Sequence, residues 1–570
     1  MSAFAAFKPA SSEVHVESKV DALPILLESM ATCSSFVPSF SNTILKPNSI
    51  LHGLHKDEYL IFRGNYTLKV HSGAILLNNL HPVVVGSSHL VVTNSSESLP
   101  IISCSCSESR SELKSNDFNQ LFPSHDSIIE IFNVDNGLPE IGDLYPPLED
   151  HYFRSSGAYS FELILPDLII NCTSVYLDRH TQRSLVKLAK ESSTLVVYGV
   201  PTSGKTTIAK SLLNTALLLG NLEVAYLDLD PESTSALIPG CLSYTLHSKP
   251  VYGSFLPSQK GSNPKDLHFY WGFQSYLSSP LRYLQLCEEL IQHHQGSDRV
   301  PLIVKFPSYI KGYGRDILTK IVQLLQANHL IYLTHRNAVQ LNGFEASDAF
   351  EAQDNPDSEV TAPFKEFTAV KSLRAVRKSS EISKKDLFVR NKLLHFHQTE
   401  EGNFDFKPII SKLPSRLSFK YISAISVLNY DLDDSSLAFE TNKLAEATIM
   451  GIFVSPKKNF KTDGLYLNGL DFLSMNCQFI CLCLVHSLDL DNDFVNLYLP
   501  LDPSCPEKLQ IHLEKGKRLI LARGEGVIPS VEMVTMDRFE PIVPYIDSAA
   551  KKRIGGVWKP RRGISRKNQG

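Results

Sequence analysis

The residues best suited to chemistry lie in the stretch GVPTSGKT at 199–206. This stretch follows the apolar run TLVVY and precedes TIAKSLLNTALLLG, which reads as a helix. The pattern GxxxxGK(S/T) between a strand and a helix is typical of a loop that binds nucleotide phosphates. Its glycines let backbone N–H groups converge on phosphate oxygens, and the helix directs its positive end at the same anion. The spacing therefore predicts a nucleotide-binding loop.

The predicted loop assigns specific roles to two side chains. Lys205 is expected to reach the β and γ phosphates, and the Thr206 hydroxyl is expected to bind Mg²⁺. No NKxD-type guanine selector stands at a suitable place, because NKLL and NKLA lack the acid, and this favours ATP. The residues predicted to contact the nucleotide are Gly199, Val200, Pro201, Thr202, Ser203, Gly204, Lys205, Thr206 and Thr207.

Two acids end the next apolar run, VAYLDLD, at Asp228 and Asp230. A carboxylate at the end of a strand beside a phosphate loop can hold Mg²⁺ directly or through water, and a nearby one can take a proton from an attacking hydroxyl. We therefore predict that both acids are catalytic, with Asp228 as a metal ligand beside Thr206. The sequence leaves open which acid does which, and the alternative is that one or both only cap the next turn.

The elements around these motifs predict an α/β fold. Residues 178–191 read as a helix, while TLVVYG, EVAYLDLD, PLIVKF and HLIYLT read as strands separated by helical stretches. Strands that alternate with helices predict a parallel sheet covered on both faces. Before this region, short β-branched runs broken by Gly, Asn and Pro predict a β-rich domain, and short strands return after about residue 396.

These patterns divide the chain into five predicted segments. Residues 1–45, rich in Ser, Pro and small side chains, are predicted to be disordered. A β-rich domain is predicted at 46–175, the phosphate-loop domain at 176–395, a C-terminal β-containing domain at 396–548, and a basic tail at 549–570. The predicted architecture is thus a central parallel-sheet domain flanked by two β-containing domains.

Composition excludes several other classes of protein. No apolar run approaches the roughly 18–20 residues that a membrane-spanning helix needs, and the start lacks the pattern of a secretory signal. We therefore expect a cytosolic or nuclear protein with no membrane partner. Ten cysteines in 570 residues indicate free thiols rather than a disulfide scaffold. Cys477, Cys481 and Cys483 could suggest a metal, but the apolar context CQFICLCLV favours core packing.

The last 20 residues, KKRIGGVWKPRRGISRKNQG, hold eight Lys or Arg and no acid. A segment of this kind is attracted to phosphate backbones or to acidic protein surfaces. The same pattern also fits a nuclear-localisation signal, and the two interpretations are compatible.

Five segments together resemble the polynucleotide 5′-hydroxyl kinase family. In YLDLDPESTSALIPGCLSY, the residues Pro239, Gly240 and Ser243 match the family's PPG-x-x-S-like stretch. In order and spacing the resemblance covers about residues 180–535. The length, the β-rich first domain and the basic tail look more like the nucleolar, pre-ribosomal RNA processing branch than the shorter mRNA 3′-end branch. The other matching segments are FYWGFQSYLSSPLRYL, PLIVKFPSYIKGYG, RNKLLHFHQ and LARGEGVIPSVEM.

The resemblance implies a kinase that transfers the γ-phosphate of ATP, with Mg²⁺, to the 5′-hydroxyl end of RNA or DNA. It further implies a nucleolar location and a partner endoribonuclease that leaves such ends in pre-ribosomal RNA. A mobile lid with Arg or Lys over the phosphates is expected as well. Arg390, in RKSSEISKKDLFVRNK, is the candidate for that role, and the alternative is a solvated basic face.

The sequence also departs from the family pattern at two places. Glu232 and Ser233 stand where the family has Gly-Gln, and the residues 305–309, KFPSY, stand where it usually has N-T-x-G-W. Phe306 or Tyr309 could still stack on a base, although ordinary packing at a strand end is an equal alternative. Two hypotheses follow: an active RNA 5′-kinase, or an ATP-binding scaffold that stabilises an endoribonuclease without much transfer.

Deletion of residues 551–570 should weaken association with RNA or with a protein partner, because the tail carries eight unopposed positive charges. Co-purification and an RNA-binding titration, each compared with the full chain, measure the effect. Unchanged co-purification and RNA affinity would show that the tail serves only as a localisation signal.

Overall fold

The computed structural model describes most of the chain between residues 31 and 533, and these residues form two compact units. The first contains the described residues up to Trp271 and those of Leu281–Lys407, with Pro500 and Ser504; the second contains Gly272–Pro280, Pro408–Leu499 and those from Cys505 onward. The described ranges are 31–105, 121–168, 172–191, 193–233, 238–257, 263, 265–296, 300–308, 313–327, 329–335, 366–372, 382–399, 401–428, 445–456, 465–500 and 504–533.

A nine-stranded antiparallel sheet begins the first unit. The long strand β3 is its centre, because β6, β7, β8 and β9 all pair with it. Its alternating apolar residues, among them Phe62, Leu68 and Val70, are fully buried. A helical turn, α1 (Ile141–Leu144), lies between the last two strands. The strands are β1 (Thr43–Leu45), β2 (Ser49–Leu54), β3 (Tyr59–Ser72), β4 (Ile75–Leu77), β5 (His81–Val83), β6 (Ser88–Val92), β7 (Ile101–Cys104), β8 (Ser127–Asn133) and β9 (Phe161–Leu163).

The predicted disorder is wrong for residues 31–45. Phe36 is fully buried in the core of the first sheet, and the Ile61 amide donates a hydrogen bond of 2.9 Å to Ser34 Oγ. The Ser- and Pro-rich composition hides this contact, since one aromatic side chain and a few backbone bonds suffice to fix the segment. Residues 1–30 and the basic tail at 549–570 lie outside the described residues, and the predicted domain limits stay predictions.

The second sheet has the order β13-β12-β11-β14-β10-β15-β16. The five strands from β11 to β16 in this order are parallel, while β12 and β13 extend one edge in antiparallel pairing. Its strands are β10 (Thr194–Gly199), β11 (Val224–Asp228), β12 (Cys241–His247), β13 (Leu267–Tyr270), β14 (Leu302–Lys305), β15 (His329–His335) and β16 (Glu366–Ser372). The predicted α/β class with a central parallel sheet is confirmed.

Helices cover this parallel sheet. Leu195 and Val197 of β10 point into a core that they share with Leu185 of one helix and Leu212 of another. Tyr283, on a third helix, donates a hydrogen bond of 2.6 Å to the Leu229 carbonyl. The helices are α2 (Arg179–Glu191), α3 (Lys205–Leu218), α4 (Pro280–Gln295), α5 (Tyr313–Leu325) and α6 (Lys384–His397).

The second unit contains a seven-stranded mixed sheet in the order β17-β22-β21-β19-β23-β18-β20. Cys481 and Cys483 lie in β21 inside its hydrophobic core, so the interpretation of these thiols as core residues is confirmed. No helix in the described part of the chain is long and apolar enough to span a membrane. The elements are β17 (Ser415–Ser418), β18 (Ile422–Val427), β19 (Thr448–Val454), β20 (Tyr466–Leu467), α7 (Gly469–Ser474), β21 (Gln478–Asp489), β22 (Phe494–Tyr498), α8 (Ser504–Glu514) and β23 (Leu519–Val527).

Within the first unit, the antiparallel sheet contacts helix α3, which follows the phosphate loop. His81 Nε2 lies 3.1 Å from the Ser211 carbonyl oxygen and 3.2 Å from Thr215 Oγ1. Lys210 Nζ forms an ion pair of 3.3 Å with Glu97 Oε2. Burial would raise the pKa of Glu97, but Lys210 and other positive and hydrogen-bonding neighbours outweigh burial and lower it to about 2. The first sheet therefore holds the helix that carries the loop.

The substitution Glu97→Gln should lower the free energy of unfolding near pH 7 by about 1–2 kcal/mol, since the Glu97 side chain is 32% exposed and the pair is only partly shielded from water. Because the folded pKa of Glu97 lies below its ordinary value, its ionised form stabilises the fold above about pH 4.5, and this stability is lost as the pH falls towards 2. Denaturant unfolding at a series of pH values measures the difference between wild type and variant, which should shrink as acidity increases.

Glu191→Gln is the matched control, because Glu191 forms an exposed pair of 4.0 Å with Lys187. Its loss should change stability by less than about 0.5 kcal/mol. A difference between wild type and Glu97→Gln that stays constant from neutral to acidic pH would contradict the assignment.

Candidate active site

The phosphate loop connects β10 to α3, as the sequence predicts. Gly204 has a φ of 87° and Thr202 a φ of 59°, so the backbone turns sharply before the helix begins at Lys205. The first helical hydrogen bond runs from the Ile208 amide to the Gly204 carbonyl. The amides before Ile208 therefore lack acceptors inside the helix and face its N-terminal end, where an anion is favoured.

Ser203 gives an independent test of whether a phosphate fits this loop. Its side chain is buried, and among the described residues its Oγ forms no hydrogen bond. A buried hydroxyl without a partner is costly unless a ligand or water completes it. The loop thus offers a phosphate one unsatisfied hydroxyl in addition to its amides.

Lys205 lies buried beside the loop. Its Nζ donates a hydrogen bond of 2.7 Å to Ser308 Oγ and lies 3.4 Å from the carbonyl oxygens of Gly199 and Val200. Burial lowers the pKa of Lys205 to about 8; Asp230 opposes this shift, and the nearby ammonium groups of Lys305 and Lys384 add to it.

The two predicted acids lie next to each other at the end of β11, and each is only 7% exposed. Asp228 Oδ1 accepts a hydrogen bond of 3.0 Å from the Asp230 amide, and Asp230 Oδ1 accepts one of 3.1 Å from the Glu232 amide. They therefore do cap the following turn, as the alternative interpretation held. They also pair with a lysine that the sequence interpretation overlooked.

Lys305, the last residue of β14, contacts both acids. Its Nζ lies 3.2 Å from Asp228 Oδ2 and 3.9 Å from Asp230 Oδ2, and it donates a hydrogen bond of 2.5 Å to Ser233 Oγ. Burial raises the pKa of Asp230; Lys305 opposes this effect and Asp228 adds to it. Two positions at which the sequence departs from the family, Ser233 and Lys305, thus contact each other.

The strand order explains why the loop and the acids meet. β14 lies between β10 and β11 and is parallel to both, so all three strands reach the same edge of the sheet. Lys305 binds the acids on one side, and Ser308 binds Lys205 on the other. Since Lys305 and Ser308 lie in one short segment, the loop lysine and the acid pair belong to one site.

Arg390 occupies a different environment from the predicted one. It lies in α6, is 4% exposed, and donates hydrogen bonds of 3.0 Å to His151 Nε2 and 2.9 Å to Asn391 Oδ1. Arg390 contacts the segment before the second sheet through His151, and its place on a mobile lid stays a prediction. Its contact with phosphate stays a prediction.

Among the described residues of this segment, Lys384 at the start of α6 is a basic residue near Lys205. It forms an ion pair with Glu232 and contributes to the lowered pKa of Lys205. No feature of the local sequence distinguishes it from its basic neighbours.

The segment KFPSY at 305–309 contains two aromatic residues that are predicted either to stack on a base or to pack in the core. Phe306 is fully buried, so the packing interpretation holds for it and its ring is not available to a base. Tyr309 lies outside the described residues. Lys305 and Ser308, which flank Phe306, are the functional candidates that the sequence interpretation missed, although their place directly after a central strand could have indicated them.

The residues at this edge fit both an ATP triphosphate and Mg²⁺. The loop amides, Ser203 and Lys205 offer donors to phosphate, while Asp228, Asp230 and the Thr206 hydroxyl offer the oxygen ligands that Mg²⁺ prefers. Within the described ranges, no group of three or more His, Cys, Asp or Glu could hold a metal ion. A divalent ion here would therefore need phosphate oxygens or water to complete its ligands.

A double-mutant cycle with Asp228→Asn and Lys305→Met should show strong coupling. Each single change leaves a buried charge with poorer partners and should lower the free energy of unfolding by about 1–3 kcal/mol. The double variant should lose less than the sum of the two, by at least about 1 kcal/mol. Denaturant unfolding in metal-free buffer measures all four proteins, and additive losses would contradict the ion pair.

Known proteins are similar to this chain both in the phosphate-loop region and over nearly its full length. The family described as mRNA cleavage and polyadenylation factor CLP1 P-loop matches residues 199–380. The protein named polynucleotide 5′-hydroxyl-kinase GRC3 from Debaryomyces hansenii is 29% identical over 620 residues, which cover 94% of this chain and 88% of the relative. The protein of the same name from Candida albicans is 27% identical over 641 residues, which cover 98% and 89%.

A solved structure of a wild-type Clp1p–Pcf11p complex also aligns with this chain. The alignment covers 84% of this chain and 98% of the solved one, with 14% identity and a TM-score of 0.49. The relatives named GRC3 match nearly the full chain, in agreement with the motifs around the loop and the acid pair. Over nearly its full length, the chain is thus similar to proteins named polynucleotide 5′-hydroxyl-kinase.

Proposed function

We propose that this protein transfers the γ-phosphate of ATP to the 5′-hydroxyl end of a polynucleotide, with RNA as the natural acceptor. One observation carries the proposal: Lys205 and the pair Asp228 and Asp230 lie at one edge of the sheet, linked through Lys305 and Ser308. The names of the relatives, polynucleotide 5′-hydroxyl-kinase, support the acceptor.

In the proposed reaction, the loop amides and Lys205 bind the phosphate oxygens and stabilise the charge that develops on them. The 5′-hydroxyl oxygen forms a bond to the γ-phosphorus, and the bond from that phosphorus to the β–γ bridging oxygen breaks, which releases ADP. The hydroxyl proton passes to a carboxylate, for which Asp228 and Asp230 are both candidates. Mg²⁺, held by Asp228 and Thr206, would neutralise charge on the β and γ phosphates.

We place this activity in pre-ribosomal RNA processing, in the nucleolus, with an endoribonuclease as the partner that supplies 5′-hydroxyl ends. The resemblance to the nucleolar branch of the family and the basic segment 551–570 support this assignment. An endoribonuclease that leaves a 5′-hydroxyl makes the acceptor that this chemistry requires.

The alternative function is that of an ATP-binding scaffold which stabilises the nuclease with little transfer. Two observations favour it: the acid pair already binds the ammonium of Lys305, and Phe306 is buried where the family pattern N-T-x-G-W has Thr. The phosphate loop would serve either function equally well.

The substitution Lys205→Ala should reduce transfer at least about 100-fold, because the variant lacks a buried positive charge that contacts the reacting phosphates. The assay uses labelled ATP and an RNA oligonucleotide with a 5′-hydroxyl, and the same oligonucleotide with a 5′-phosphate serves as the blank. Lys187→Ala is the matched control, since this helical lysine is 64% exposed and lies in α2.

The outcome that rejects the kinase is specific. Wild-type protein in complex with its nuclease would bind ATP but label no 5′-hydroxyl RNA, while Lys205→Ala would lose ATP binding and nuclease activation together. That pattern would establish the scaffold function.

A further inference from the structure

Lys305 is a buried lysine at the end of the central strand β14. It is 2% exposed, and its Nζ has three oxygen partners in one turn: Asp228 Oδ2, Asp230 Oδ2 and Ser233 Oγ. A buried ammonium is tolerated only when it is paired and hydrogen-bonded. Asp228 and Ser233 accept hydrogen bonds from it, and Asp230, at 3.9 Å, adds an ion pair.

The backbone holds this lysine firmly in place. In the parallel ladder, Lys305 is opposite Asp228 on one side and Val197 on the other. Its carbonyl accepts a hydrogen bond of 3.0 Å from the Leu229 amide, and the following amide, of Phe306, donates one of 2.9 Å to the Val197 carbonyl. The ammonium therefore enters the acid pair from the centre of the sheet rather than from a loop that could swing away.

The same two carboxylates are the candidate ligands for a divalent ion. With Lys305 present, the charge of Asp228 and Asp230 is half neutralised before any metal enters. A positive group within a few ångströms of the ligands repels a further cation, and the repulsion is strong where water is largely excluded. Moreover, the described residues offer no third acidic or imidazole ligand that would compensate.

We propose that Lys305 is a built-in counter-ion of the acid pair, which positions Asp228 and Asp230 without a divalent ion and keeps the affinity of the site for free Mg²⁺ low. Mg²⁺ then enters together with the triphosphate, whose oxygens supply the missing ligands. Lys305 is thus a positioning residue. The inference rests on the proposed function only in that the triphosphate is that of ATP.

The test measures metal binding without nucleotide or RNA. Thermal unfolding is recorded with EDTA and with up to about 10 mM Mg²⁺ at constant ionic strength, because a ligand that binds the folded state raises Tm according to its affinity. Calorimetric titration with Mg²⁺ gives the affinity directly. The proteins compared are wild type, Lys305→Met, Lys305→Arg and Lys210→Met.

Wild type and Lys305→Arg should show the same Tm with and without Mg²⁺. Lys305→Met should unfold at a lower temperature in EDTA, recover part of the loss in Mg²⁺, and bind Mg²⁺ at least about 10-fold more tightly than wild type. Lys210→Met is the matched control: Lys210 pairs with the single carboxylate of Glu97, so its loss should lower Tm without creating a response to Mg²⁺.

The inference is overturned if Mg²⁺ raises the Tm of wild type as much as that of Lys305→Met, or if the variant binds the ion no more tightly. If Lys305→Met does not fold, the Mg²⁺ affinity of the wild-type protein tests the inference. Its affinity for Mg²⁺ should rise at least about 10-fold when a non-hydrolysable ATP analogue is bound. Tight binding of free Mg²⁺ to the wild-type protein, with a Kd below about 0.1 mM, would refute it.

These outcomes are separate from those of the kinase assay. A scaffold that binds ATP without transfer would still show the expected metal responses. An active kinase that binds free Mg²⁺ tightly would refute the role of Lys305 and leave the proposed function intact.

Discussion

The parallel pairing of β11, β14 and β10 is the constraint on which the candidate site depends. Since the three strands run in the same direction, Asp228, Lys305 and Gly199 all reach the same edge of the sheet. Hydrogen bonds from β14 and the residues that follow it then extend to both neighbours, to the acids through Lys305 and to the loop lysine through Ser308. Without the central strand, the phosphate loop and the acid pair would have no direct link.

Charge balance is the second feature of the site. Lys205 and Lys305 are buried beside Asp228 and Asp230, so two positive and two negative side chains share a region with little water. Buried charges are stable only in such paired arrangements. The turn after β11 contributes to this balance, because Ser233 Oγ accepts a hydrogen bond from Lys305 Nζ. Ser233 stands at a position where the family has a different residue. Two departures from the family pattern, Ser233 and Lys305, therefore stabilise each other.

The antiparallel first sheet has a structural role at the same site. It contacts α3 through His81 and Glu97, and α3 begins at the phosphate loop. Arg390 of α6 binds His151, so a second helix of the parallel-sheet region contacts the segment between β8 and β9. These contacts position α3 and α6, and α3 carries the loop amides at its N-terminal end. The second compact unit has its own mixed sheet and its own core.

The sequence by itself determined the loop, its flanking strand and helix, the acid pair and the alternation of strands and helices, because these depend on local spacing and hydrophobic pattern. It did not determine that Phe36 would be buried, that Arg390 would bind His151, or that Lys305 and Ser233 would meet at the acids. Each of these depends on strand order and on contacts between distant segments. A short-range pattern specifies which residues enter a strand, but only the packed sheet decides which strand ends lie side by side.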